Sequence, residues 1–172
     1  MDNMVIQAAG AFGITHRYKV ECFDKDGKLK WVDGFDNLVV NVGLDDILDK
    51  FYKGSAYTAS HFVGLTDASP TIAAGDTMAS HVGWTEEVGY SEATRQAFTP
   101  GTVSGQSVDN SAARAVYSIN ATATIGGAFL TTDNAKSGTA GTLVGVGAFA
   151  SDRAVLNGDT LNVTVTATAA ST

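Results

Sequence analysis

The sequence predicts a mainly β protein: a two-sheet β-sandwich, with jelly-roll order as its expected form. It adds one amphipathic helix over residues 43–53 and an N-terminal arm over residues 1–13. Three observations lead there. Several segments alternate apolar and polar residues with period two, the signature of half-buried strands. Turn-forming clusters separate these segments, as in two packed antiparallel sheets. Finally, only 17% of the 172 residues are charged, against roughly 25% in an ordinary soluble domain, and 19 glycines with many Ala, Thr and Ser fill the difference. The length suits a single domain over residues 14–172, large enough to bury a core without a disulfide or metal staple.

Residues 1–13 are small and uncharged apart from Asp2, and read either as an arm that orders against a partner or as a frayed terminus. In the first case Val5, Ile6 and Phe12 are the candidate anchors, in a partner's groove or on an open sheet edge. His16–Phe23 alternates, with Tyr18, Val20 and Cys22 on one face and Arg17, Lys19 and Glu21 on the other. Asp24-Lys-Asp-Gly27 is a tight turn and Leu29–Val32 the return strand, so residues 14–33 form a hairpin. Asp24-x-Asp26-Gly27 also matches the start of a calcium loop. The further ligands and the closing glutamate of such a loop are missing, which favours a plain turn.

The helix is read from Leu44, Ile47, Leu48 and Phe51 at i, i+3, i+4 and i+7, with Asn41 as the expected N-cap and Gly54 as the terminator. One apolar stripe calls for a sheet to bury it. On that reading Leu48→Ala costs about 2–5 kcal/mol. His61–Leu65 is a further strand. Residues 66–112 show little periodicity and read as a long connection suited to interaction, within which Trp84, Tyr90 and Phe98 either face a partner or plug the edge of the core. Beyond it, Ala113–Ile119 and Ala121–Thr131 are strands, with Gly126-Gly127 marking a bulge or a close backbone approach. Thr142–Phe149 is apolar on both faces, as in a central strand. After an Asn157-Gly158-Asp159 turn, Leu161, Val163, Val165 and Ala167 alternate strictly with polar residues.

The chemical inventory points away from an enzyme. Gly89-Tyr-Ser-Glu-Ala93 lacks the second glycine of a nucleophile elbow. Glu86 and Glu87 are neighbours whose side chains point to opposite faces of a strand. No glycine-rich loop precedes a lysine as phosphate binding requires. A single cysteine, Cys22, and the dispersed His16, His61 and His81 predict no disulfide, metal or other cofactor. The net charge of −7 argues against binding a nucleic-acid backbone, and no apolar run is long enough to cross a bilayer. The opening residues also lack the basic and apolar regions of a secretory signal.

Two stretches, Lys28–Lys50 and Phe62-Val-Gly-Leu-Thr66, resemble a family of small virion proteins of tailed bacteriophages. Met78-Ala-Ser-His-Val-Gly-Trp84 and Gly158-Asp-Thr-Leu161 are similar too, so that the likeness spans most of residues 15–170. The resemblance implies a structural virion component. The leading expectation is a capsid decoration (cement) protein on the particle surface, assembled in the host cytoplasm. Its partners would be the major capsid protein and sister copies, as a dimer or trimer. The alternative is a tail-associated or host-surface module that binds a glycan or receptor, for which Trp84 and Tyr90 would supply the aromatic platform.

Overall fold

The computed structural model describes residues 12–57 and 60–171. The chain opens with the hairpin of β1 (Phe12–Phe23) and β2 (Leu29–Asp36). Its alternation is as expected, with Tyr18, Val20 and Cys22 buried. Asp24 closes the turn by accepting the amides of Asp26 at 3.0 Å and Lys28 at 2.9 Å, while Gly27 takes φ +79°. Asp26 pairs with the Lys25 ammonium at 2.8 Å. The two carboxylates thus serve the turn, and among the described residues no group of three or more His, Cys, Asp or Glu is placed to hold a metal.

Next come β3 (Leu38–Val39), α1 (Asn41–Tyr52) and β4 (His61–Thr66). The segment expected to be a long open connection instead adds short strands to both sheets: β5 (Glu86–Glu87), β6 (Gln96–Phe98) and β7 (Ser107–Asp109). Three-residue strands carry too little alternation to be read as a period, which is why the sequence does not reveal them. β8 (Ala115–Ser118), β9 (Ala123–Thr131), β10 (Leu143–Val155) and β11 (Thr160–Ser171) complete the chain.

All strand pairs are antiparallel. One sheet runs β2-β1-β11, with β7 and β8 both paired to β11 at different heights; the other runs β3-β10-β9-β4, with β5 and β6 both paired to β4. Tyr18, Val20, Leu161 and Val163 of the first sheet pack into one buried cluster with Val63, Leu65, Ile125 and Leu130 of the second. This is the face-to-face core of a sandwich. A jelly roll in its simplest form divides eight strands between two sheets, whereas five and six pair here.

The second sheet is covered on both faces. Phe129, Leu143 and Val146 point away from the sandwich core into a smaller cluster with Val40, Met78 and Trp84. This accounts for the apolar character of β10 on both sides, as its sequence predicts. Opposite Gly126, β10 departs from register: Ala148 pairs with Gly127, yet Arg153 pairs with Ile125. The glycine pair is also a close approach, since a Cβ on Gly127 would fall 2.9 Å from the Ala148 Cα.

The N-terminal boundary shifts. Phe12 and Gly13, assigned to the arm on sequence, belong to β1, in register with Ser171 and Ala170. Val5 and Ile6 lie outside the described residues.

Candidate interaction surface

Helix α1 is built as the sequence suggests but faces the other way. Its N-cap is Val40, not Asn41, and it makes no side-chain capping bond; Asn41 is the first helical residue, and its amide donates to the Ala74 carbonyl at 2.9 Å. The first turn is pressed onto β10 at Gly43, the helix's one fully buried residue. A Cβ there would land on the Val144 carbonyl oxygen and 2.9 Å from the Val144 Cα, so only glycine permits this approach.

Beyond that turn the amphipathic faces are inverted. Asp46, Asp49 and Lys50 are half-buried, whereas Leu44, Leu48, Phe51 and Tyr52 are exposed, the last three by 54%, 77% and 76%. Of the expected stripe only Ile47 is half-buried. Ion pairs at i, i+4 run along this polar face, from half-buried Asp46 to Lys50 at 3.8 Å and from Asp49 to the exposed Lys53 at 2.7 Å. The 3.6-residue period fixes that one face is apolar but not which way the face points.

Leu48→Ala is therefore expected to change stability by less than about 0.5 kcal/mol, the range of exposed sites away from special contacts. Urea denaturation checks this, and a loss above about 2 kcal/mol would return Leu48 to the core.

On one flank of α1 lies an apolar groove of about 480 Å³, where the helix meets the open end of the sandwich. Ile14 of β1, Ile47 and Phe51 of α1, and Phe98, Pro100 and Val108 contribute to its walls. Tyr57, 58% exposed, stands at its edge near His61. His16 lies in the same wall, buried, and its ring Nδ1 is 3.1 Å from the Asn37 side-chain amide. Burial lowers the His16 pKa below 6.5, the nearby His61 adds to the shift, and the Asn37 hydrogen bond opposes it. Burial lowers His61 as well, against the attraction of Asp46. The unfolded chain then takes up these protons first. Stability is intact above the unfolded value of 6.5 and is lost as the pH falls from there towards the lowered folded values. Denaturation midpoints between pH 7.5 and 5 should show the decline, with a shallower slope in His16→Gln. An unchanged slope in that variant would remove His16 from the account.

Two of the expected contact residues are not on this surface. Trp84 and Tyr90, expected as a possible platform, are 4% and 1% exposed and so are not available to a sugar ring. Trp84 stacks on His81 at 3.9 Å and packs against Phe129; Tyr90 meets Tyr117 edge-to-face at 4.9 Å and carries the Lys136 ammonium 3.8 Å over its ring. They fill the core and its edge, the other of the two readings their sequence allowed. Of the arm anchors, Phe12 begins β1, its backbone opposite Ser171.

Glu86 and Glu87 do not converge. Glu86 binds the buried Arg95, and Glu87 accepts the Gly89 amide at 2.7 Å. Cys22 is buried beside the Asp159 carboxylate, 3.7 Å away, and burial followed by that charge pushes its thiol up to about 12. So high a pKa keeps it protonated and inert at neutral pH. Neither reductant nor chelator should lower the melting temperature; a drop with chelator would reopen the Asp24–Gly27 turn as a cation site.

No helix among the described residues is long and apolar enough to cross a membrane. Compared with known proteins, the chain matches no family model, no curated protein and no solved structure.

Proposed function

We propose that this chain is a structural component of a virion, a capsid decoration protein that binds and stabilises neighbouring subunits of the shell at the particle surface. The observation that carries the reading is the inverted helix, which turns Leu44, Leu48, Phe51 and Tyr52 to solvent and leaves Asp46, Asp49 and Lys50 half-buried. An isolated exposed leucine needs no explanation, but a contiguous apolar helical face at a fixed place on a weakly charged sandwich marks an interaction site. The resemblance of Lys28–Lys50, which includes most of this helix, to small phage virion proteins supplies the partner: the major capsid protein, with sister copies beside it.

The test is occupancy on particles that lack the protein. A Leu48→Ser/Phe51→Ser double variant should keep the wild-type melting temperature and lose most of its binding to the shell. Full occupancy by the folded variant would move the contact off α1. The same exposed aromatics, Phe51, Tyr52 and Tyr57, also suit a tail-associated module that stacks on a glycan. Glycan-array binding that disappears in Tyr52→Ala, together with no affinity for shells, would favour that second reading.

A further inference from the structure

The apolar groove beside α1 has an occupant available in the chain itself. Eleven residues, Met1–Ala11, precede the described part of β1. They include Met4, Val5, Ile6, Ala8 and Ala9, with Asp2 the single charge. The chain meets β1 at Phe12, two positions before Ile14, which lines the groove. The segment thus starts at the rim of an apolar site that matches its own composition. Fully extended, eleven residues span about 36 Å, enough to reach the same groove on an adjoining molecule.

The direction of β1 decides between its own groove and a neighbour's. Phe12 and Gly13 are held straight in the antiparallel ladder against Ser171 and Ala170. Phe12 is thus still part of the extended strand, and Ile14 already lines the groove, so that residues 1–11 would have to double back over β1 to seat in their own molecule.

We propose that residues 1–11 of one copy seat in the groove between α1 and the open end of the sandwich of a second copy. One segment and one groove per copy allow reciprocal exchange in a dimer or head-to-tail exchange around a small ring. Met4, Val5 and Ile6 supply the apolar side chains, and Ile47, Phe98, Pro100 and Val108 the walls that receive them. The inference rests on reading the α1 end as an interaction surface; it does not depend on the shell as partner.

The experiment measures mass by light scattering on four samples: the full chain, a deletion of residues 1–11, an Ile47→Lys variant, and an equimolar mixture of the last two. The full chain should be a dimer or trimer and each altered chain alone a monomer. The mixture should regain association, because it pairs an intact groove with an intact segment. Pro100→Lys, at the exposed rim, serves as the groove variant if Ile47→Lys fails to fold. In parallel, a synthetic peptide of residues 1–11 should bind the deleted chain and lose about tenfold or more in affinity against its groove variant.

A deleted chain that keeps its mass overturns the proposal. So does a monomeric full chain, even one whose groove takes the peptide, since the segment would then be returning to its own molecule. Shell binding is read separately. A chain that associates through residues 1–11 but leaves particles bare would refute the decoration reading and leave this one standing.

Discussion

Replacing Arg95 with alanine should lower the stability of the domain by about 3–5 kcal/mol, the usual cost of breaking a buried ion pair from one side. Arg95 is 1% exposed, yet each of its polar groups is engaged. Nε and one terminal nitrogen donate to the two carboxylate oxygens of Glu86 at 2.9 and 2.8 Å. The other terminal nitrogen donates to the Asp133 carbonyl at 2.9 Å, and the Gly138 carbonyl accepts a further bond at 2.8 Å. The guanidinium also lies 5.2 Å from the Phe129 ring centroid. One side chain therefore ties the segment between β5 and β6 to the loop that joins β9 to β10.

Removing it leaves the nearly buried Glu86 carboxylate with the Ser137 amide, 2.8 Å away, but no counter-charge, and leaves two carbonyls without their donor. Arg95→Lys should recover little, because an ammonium cannot reproduce the planar two-point contact. Arg95→Ala combined with Glu86→Gln should cost clearly less than the sum of the single changes. Urea unfolding of the four proteins checks this. A single-variant loss under about 1 kcal/mol would mean that the loop relaxes and rehydrates the site.

A loss of about 3–5 kcal/mol is likewise expected for Trp84→Ala, the range for emptying a buried aromatic site. The indole fills the space between His81 and Phe129, and its Nε1 donates to the Asp76 carboxylate at 3.0 Å. That carboxylate also accepts the Ala73 amide at 3.0 Å, so the ring pins the loop that covers the outer face of β9 and β10. Trp84→Phe keeps most of the packing and loses the bond, and should cost about 1–3 kcal/mol for the buried acceptor left short of a partner. A sugar-stacking role predicts the opposite pattern: glycan binding lost in Trp84→Ala with the melting temperature unchanged.

These two residues also mark where the sequence is readable. Long elements with one dominant period are legible: the alternation of Tyr18, Val20 and Cys22 and of Leu161, Val163 and Val165 places β1 and β11, and the two-sided apolar run places β10. Residues 66–112 are not legible. There, order comes from contacts distant in sequence, such as Arg95 to Gly138 and Lys136 Nζ donating to the Tyr90 carbonyl at 2.7 Å, and strands of two or three residues leave no pattern. The candidate surface falls between these cases. The composition of α1 shows that it has an apolar face, but its direction is set by Gly43 seating on Val144, a contact visible only once β10 is in place.

The outer margins of the two sheets bear on behaviour at high concentration. An exposed strand margin is a template on which further chains can polymerise. Here β3 and β5 offer two residues each, β6 and β7 three, β8 four, and the longer β2 carries Lys30, Asp33 and Asp36, bound to Asp159, Arg153 and Arg17. An incoming strand would find few free amides on the short margins, and on β2 it would have to settle among tethered charges. Copies crowded side by side are thus poorly suited to fibre growth through their backbones, and the apolar surface that four neighbouring side chains form on α1, Leu44, Leu48, Phe51 and Tyr52, is a separate feature.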